Sequence, residues 1–356
     1  MNHPVSIADL HSRLIAVIPD GYLCDSEHLH DLARRWCEKQ RAWHGPGHLL
    51  AMLDEILATS KGEEKDTLLI AALYHDAIYD PRASDNEEVS ACLLESHAKD
   101  TVSSVISKAL KLITDSKWDA PPEDKLAELF FHLDSRQLED DCTPGERLCY
   151  ERAVFREYQF ASWSLYKDKR RAFLKGWAER HPQHRKGAAE CIGLLEGLEP
   201  RVALYPGSFN PFHLGHLSIL RQAETTFDKV IIGVGINRQK TGAVETRALR
   251  ENELQSRLRF HEVATFSGLL TDYIGKLDLP VTIVRGVRDG TDLEAELRYT
   301  RFLNELRPGT NVLWIACEPE LQHLSSSAIR ELESIEPGAG ARYIPDTIKI
   351  YGLAAS

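Results

Sequence analysis

The stretch LYPGSFNPFHLGH, Leu204–His216, joins the apolar run VALY to the amphipathic run HLSILRQAETTF. A short buried run, a tight turn and a helix entrance in that order are the start of an α/β unit. Gly207 lets backbone approach a ligand closely, and Pro206 and Pro211 stiffen the turn. Gly215 and His216 open a helix whose free N–H groups and dipole favour an anion. His213 and His216, three residues apart, fall on one side of that entrance.

Working outward, VALY is followed by KVIIGVGI, VATF, VTIV and NVLWIAC, each a short β-branched run, with helix-like segments between them. Continuous apolar strands alternating with helices predict a parallel sheet covered on both faces. In such a sheet ligands bind beyond the carboxyl ends of the strands. The loops there carry NRQKTG, RGVRDG and EPELQHLSSS, so Lys240, Arg285, Arg288 and the serines Ser325–Ser327 are expected on one edge with the two histidines. Such an edge favours phosphate, and paired imidazoles suit the equatorial charge of a phosphorus under in-line attack.

Before about Pro200 the texture differs. His48–Leu57, Thr67–Tyr74, Glu87–Leu94, Val102–Ile113 and Arg147–Leu165 repeat apolar residues at three and four, which predicts helices throughout. HPQHRKG, His181–Gly187, reads as a linker, and AAECIGLLEGL after it as a closing helix. The expected organisation is an all-α domain, 1–198, followed by an α/β Rossmann-like parallel-sheet domain, 199–356. With 356 residues, 43% of them apolar, the chain can bury two cores.

The net charge of −11 excludes a nucleic-acid or anionic-membrane surface as the main partner. Seven cysteines, odd in number and without a C-x-x-C pair, fit reduced thiols. No cationic start leads into an apolar core, and no uncharged apolar run approaches eighteen residues, so a soluble cytoplasmic protein is expected.

Within the helical half, AALYHDAIYD sets His75 beside Asp76 in an apolar helix, where a carboxylate needs a partner. RAWHGPGHLLAML supplies His44 and His48, four apart, and FFHLDSRQL supplies Asp134. Histidine with carboxylate suits Mn²⁺, Fe²⁺, Zn²⁺ or Ni²⁺ with open positions for water and phosphate.

The elements Y-P-G-S-F-N-P-F-H-L-G-H, N-x-x-K, G-L-L, R-G-V-R-D-G-T-D-L-E-A-E and S-S-S-A-I-R-E-L together resemble the phosphopantetheine adenylyltransferase family across nearly all of residues 200–356. The resemblance implies adenylyl transfer from ATP, with Mg²⁺, to 4′-phosphopantetheine, giving dephospho-coenzyme A and pyrophosphate without a covalent intermediate. It implies catalytic roles for Ser208, His216 and Lys240, to which the paired imidazole of His213 is added from the residues themselves, and acceptor binding by Ser208, Lys240, Leu270 and Arg285. ATP contacts fall to Ser208, Phe209, His216, Arg288, Glu296, Ser325, Ser326 and Ser327, and a homo-oligomer is expected. Typical members have threonine at the position of His213, and the full H-x-G-H also resembles nicotinamide-nucleotide adenylyltransferases, so nicotinamide mononucleotide stands as an alternative acceptor.

R-x-W-H-x-x-x-H followed by L-Y-H-D-A-I-Y-D-P-R-A-S-D-N-E-E-x-S-A resembles the HD superfamily of metal-dependent phosphohydrolases over roughly residues 5–197. This implies a metal held by His48, His75, Asp76 and Asp134, with His44 a further ligand or phosphate contact and Glu87 within reach. Two-metal members supply additional histidines before the last aspartate, and LITDSKWD has none, which leaves His97 and His132 as candidates and favours one metal. An HD domain that binds nucleotide and regulates without turnover is the alternative.

Overall fold

The computed structural model describes residues 5–23, 25, 27–236 and 251–353. The chain forms two compact units: one takes in the residues up to Glu157, Lys169–Gly197 and the chain from Tyr351, the other Tyr158–Asp168 and Leu198–Ile350.

The first unit is helical, with one isolated bridge, Leu23 to Ala98, as its β pairing among the described residues. Its centre is the helix Gly62–Tyr74, in which every residue from Thr67 to Tyr74 is buried. A helix apolar on all sides belongs inside a core, where each of Leu68, Leu69, Ile70 and Leu73 contributes roughly 1.5–3 kcal/mol by leaving water. The helices Pro46–Thr59, Asn86–His97 and Ser104–Asp115 pack around it, and Lys125–Asp134 packs on Pro46–Thr59. His48, His75 and Asp134 therefore come from three neighbouring elements.

Two expectations are corrected. Arg147–Leu165 is not one helix: it stops at Glu157, and a new helix starts at Trp163. The chain between joins the other unit, where Gln159 accepts a hydrogen bond from the Val230 N–H at 3.0 Å and the Ala161 carbonyl accepts one from Lys229. HPQHRKG is not a solvated linker either. His181 and His184 are fully buried, and a short 3-10 turn, Pro182–His184, runs directly into the helix Arg185–Gly197.

The second unit is built on five parallel strands: β1 Val202–Gly207, β2 Lys229–Ile236, β3 Val263–Ser267, β4 Val281–Val287 and β5 Asn311–Ala316, in the order β3-β2-β1-β4-β5. Val202 lies opposite Lys229 on one side and Val281 on the other. Val202 and Leu204 point into a core shared with Ile231, Leu270, Ile274, Ile283 and Leu303. Strand order reverses between β1 and β4, which opens a crevice at their carboxyl ends. The helices Leu214–Thr226, Gly290–Leu306 and Ser326–Ile335 begin just beyond the ends of β1, β4 and β5. Among the described residues, no helix is long and apolar enough to cross a membrane.

Lys229 is 2% exposed, and burial, the larger influence, lowers its pKa against the opposing pull of Glu262, 2.6 Å away. Removing one partner of a buried pair strands the other. Lys229→Ala is expected to cost the second unit about 3 kcal/mol, read as a lower urea midpoint for that unit; an unchanged midpoint would contradict the role given to this pair.

Candidate active site and candidate metal centre

At the β1–β4 crevice the turn after β1 is shaped by a ring. Phe209 adopts a left-handed φ of 43°, and its buried side chain lies over Gly207, where an added Cβ would come within 2.7 Å of Phe209 Cζ. Only glycine lets the ring close over the strand end. Phe209 then packs its edge against His216, with ring centroids 5.1 Å apart.

His213 is the N-cap of the helix Leu214–Thr226, and its backbone N–H donates to His216 Nδ1 at 3.2 Å. That bond makes Nδ1 an acceptor, so the proton of neutral His216 sits on Nε2. Burial, then the neighbouring His213 and Arg288, holds the His216 pKa well below 6.5; burial, then Arg288, lowers that of His213 to about 4. The two rings stack at 3.6 Å. The crevice therefore presents neutral imidazoles at a helix N-terminus, where an N–H donor can meet phosphate oxygen without an added formal charge.

The cleft encloses about 290 Å³ and is lined by His213, His216, Arg285, Arg288 and Glu296 among others. Arg285 grips Glu296 with two hydrogen bonds, 2.8 and 2.6 Å, and donates a third to the Pro206 carbonyl at 3.2 Å. Arg288 pairs with Asp292 at 2.6 and 3.0 Å. Both guanidiniums are thus fixed by a carboxylate. Ser325 caps the helix Ser326–Ile335 by accepting from the Ala328 N–H, and Ser326 donates to the Pro211 carbonyl at 2.9 Å. Ser325 and Ser326 line the cleft, whereas Ser327 is engaged by Arg330.

Two expected residues keep their side chains out of this cleft, and a third is not among the described residues. The side chain of Leu270 is in the core beneath the sheet, because β3 leads directly into a short helix that turns it inward. Ser208 is exposed and does not line this cleft. Lys240 lies outside the described residues. The structure adds Asp292, the Arg288 partner, and Arg330, which ties the helix Ser326–Ile335 to the Asn210 carbonyl. The spacing of Arg330 from Ser326 and Ser327, four and three residues on a helix, was the available signal.

In the first unit His48, His75 and Asp76 bring ligand atoms within 4.8 Å of one another. Asp134 Oδ1 lies 3.3 Å from His48 Nε2 and 3.5 Å from His75 Nε2, which is also 3.2 Å from Asp76 Oδ2. His75 Nδ1 is 2.9 Å from the Ala72 carbonyl, an acceptor, so Nδ1 carries the proton and Nε2 aims a lone pair at the carboxylates. The Nε2 atoms of His48 and His75 are buried and have no hydrogen-bond partner. Burial disfavours charge on His75, yet Asp76 and Asp134 outweigh it and raise its pKa well above 6.5, so without a cation Nε2 also carries a proton, and its lone pair becomes a ligand only when an ion takes that proton's place. Lone pairs facing carboxylate oxygens in a buried space fit a divalent cation.

His44 is turned to a carboxylate instead. Its Nδ1 is 2.6 Å from Glu157 Oε2, which also accepts from the Tyr79 hydroxyl at 2.7 Å. Glu157 Oε1 accepts the backbone N–H groups of Ala42, Trp43 and His44 at 2.7–2.9 Å. Glu87 is close enough for Asp76 to add to the rise that burial gives its pKa. Neither spare histidine joins the cluster. His97 bonds the Tyr74 hydroxyl and stacks on His28, and His132 meets Glu139 and His184. In that second group Trp177 donates to His184 Nδ1 at 3.1 Å, so His184 Nε2 holds the proton and donates to Glu139 at 3.0 Å. A nitrogen carrying a proton offers no lone pair to a metal.

The lowered pKa of His213 has a consequence for stability. Between about 6.5 and about 4 the unfolded chain binds a proton there that the folded chain refuses, so stability falls as pH drops through this window. Urea unfolding at pH 7 and pH 5 should show a smaller pH-dependent loss for His213→Asn than for wild type; equal losses would contradict it.

A family model described as cytidylyltransferase-like matches residues 204–332. The phosphopantetheine adenylyltransferase of Clostridium perfringens (strain 13 / Type A) is 35% identical over 150 residues, covering 42% of this chain and 90% of that protein. That of Clostridium tetani is 33% identical over 149 residues, 41% of this chain and 92% of that protein. The namesake from Leuconostoc citreum is 34% identical over 149 residues, with 41% and 93% covered. With the parallel sheet and the histidine- and arginine-lined crevice at its switch point, these similarities place the chain in the phosphopantetheine adenylyltransferase family.

Proposed function

We propose that the second unit transfers the adenylyl group of ATP to 4′-phosphopantetheine. A phosphate oxygen of the acceptor attacks the ATP α-phosphorus, the bond to the β-phosphate oxygen breaks, and pyrophosphate leaves as dephospho-coenzyme A forms. The observation that carries this reading is His216, whose Nδ1 is committed to the His213 amide so that Nε2–H faces the cleft as a donor. It would bond a non-bridging α-phosphate oxygen as negative charge gathers there. Arg288 and the N-terminus of the helix from Ser326 would receive the β and γ phosphates, accompanied by Mg²⁺. Arg285, fixed by Glu296, would meet the acceptor phosphate, and Lys240 keeps the role that family resemblance implies. His213 favours nicotinamide mononucleotide as the second candidate acceptor.

The first unit reads as a metal-dependent phosphohydrolase of the HD type, its divalent ion held by His48, His75, Asp76 and Asp134. Bound there, the ion would activate water and polarise a phosphoryl oxygen. The orphaned Nε2 atoms support this assignment. His44, anchored by Glu157, would bond a phosphate oxygen or leaving group through Nε2.

Pyrophosphate release from ATP and Mg²⁺ should require phosphopantetheine, and His216→Ala should lower kcat by about 10²- to 10³-fold. Release with neither acceptor would defeat the transferase reading, and release with the mononucleotide alone would move it to the other branch. Metal analysis should find a divalent ion in wild type that His75→Ala and Asp76→Ala lose; equal content in all three would contradict the ligand set. Metal without turnover of any phosphate ester would favour a regulatory unit.

A further inference from the structure

Asp134 has two carboxylate oxygens, and they face different neighbours. Oδ1 is the oxygen within 3.3 and 3.5 Å of His48 and His75. Oδ2 accepts the indole N–H of Trp118 at 2.6 Å. Trp118 is held for this contact from several sides. It is 2% exposed, its ring meets those of Phe130 and Phe131 with centroids 6.1 and 4.9 Å away, and its carbonyl lies 2.8 Å from His181 Nε2. Its backbone sits at φ 51°, a conformation that a bulky residue adopts only when its surroundings impose it.

A carboxylate that bridges two cations uses one oxygen for each. Here the outer oxygen is taken by an N–H donor, and a metal cannot share that direction. Among the described residues, the other group of histidine and carboxylate atoms, His132, Glu139 and His184, is a separate hydrogen-bonded cluster whose His184 nitrogens are both engaged. We propose that Trp118 is a positioning residue that commits Asp134 to one ion through Oδ1 alone, making the centre mononuclear. This rests on the metal-centre reading above. The indole stands in LITDSKWD, the segment where histidines for a second ion would be expected, and supplies a donor in place of a ligand.

The test uses the full chain, stripped with chelator and titrated with Mn²⁺ for counting and Co²⁺ for spectra. Wild type should bind one ion per chain in this unit, absent in His75→Ala. Trp118→Phe keeps a ring and removes the N–H; it should weaken Co²⁺ binding about ten- to a hundredfold and alter the Co²⁺ absorption bands as Oδ2 becomes free to coordinate. A purely structural role would lower the melting temperature of the stripped protein and leave affinity and bands unchanged. Two ions per chain in wild type, or wild-type affinity and spectrum in Trp118→Phe, overturns the proposal while leaving the metal centre standing. No bound ion in wild type overturns both. If Trp118→Phe fails to fold, the wild-type count decides, one ion supporting the proposal and two overturning it.

Discussion

One backbone hydrogen bond to a histidine Nδ1 decides the chemistry at each site. In the first unit the Ala72 carbonyl takes the proton-bearing side of His75, and the far nitrogen is left as a lone pair among carboxylates. In the second the His213 amide donates a hydrogen bond to His216 Nδ1, and the far nitrogen becomes a donor beside the cleft. The same side chain is thus set to offer a lone pair or an N–H by the direction of one bond to the main chain. Everything around each imidazole maintains that direction: the buried stretch Thr67–Tyr74 that fixes Ala72 in one case, the Phe209 ring closing over Gly207 in the other.

Charge is managed locally. The chain carries a net charge of −11, yet the cleft holds two arginines, each neutralised by an acidic partner on the helix that follows β4. Ion pairs of this kind fix guanidinium direction before ligand arrives, which reduces the ordering cost of binding. The carboxylates also offset the positive charge that the two guanidiniums bring to the cleft. Glu157 does the equivalent in the first unit, where three main-chain N–H groups, a hydroxyl and His44 satisfy a fully buried carboxylate.

Much of this was legible in the sequence. The β-branched runs and the turn from Leu204 announced the parallel sheet and its edge, because strand burial on both faces leaves an unbroken apolar signature. His48, His75, Asp76 and Asp134 stood out because polar residues in apolar helices need partners. What escaped were residues whose meaning depends on distant neighbours. Glu157 looks like an ordinary helix-end glutamate until residues 42–44 are folded onto it, and Trp118 reads as core until Asp134 is beside its N–H. Leu270 is the opposite case, a residue whose side chain the fold takes into the core. It follows a strand end, as binding residues do, but a helix too short to be read from periodicity turns it inward.

The interrupted path of the chain has an implication for synthesis. The helix Trp163–Arg180 begins in the sheet unit and continues in the helical one, and the Tyr351 carbonyl returns to accept the Lys39 amide at 2.6 Å. A growing polypeptide therefore cannot finish its first unit before its second has left the ribosome. The helical half must wait, with Tyr351 still to come, while some 150 residues of sheet are made and folded. The bond between Lys39 and Tyr351 is thus among the last the first unit makes, formed across nearly the whole length of the sheet unit.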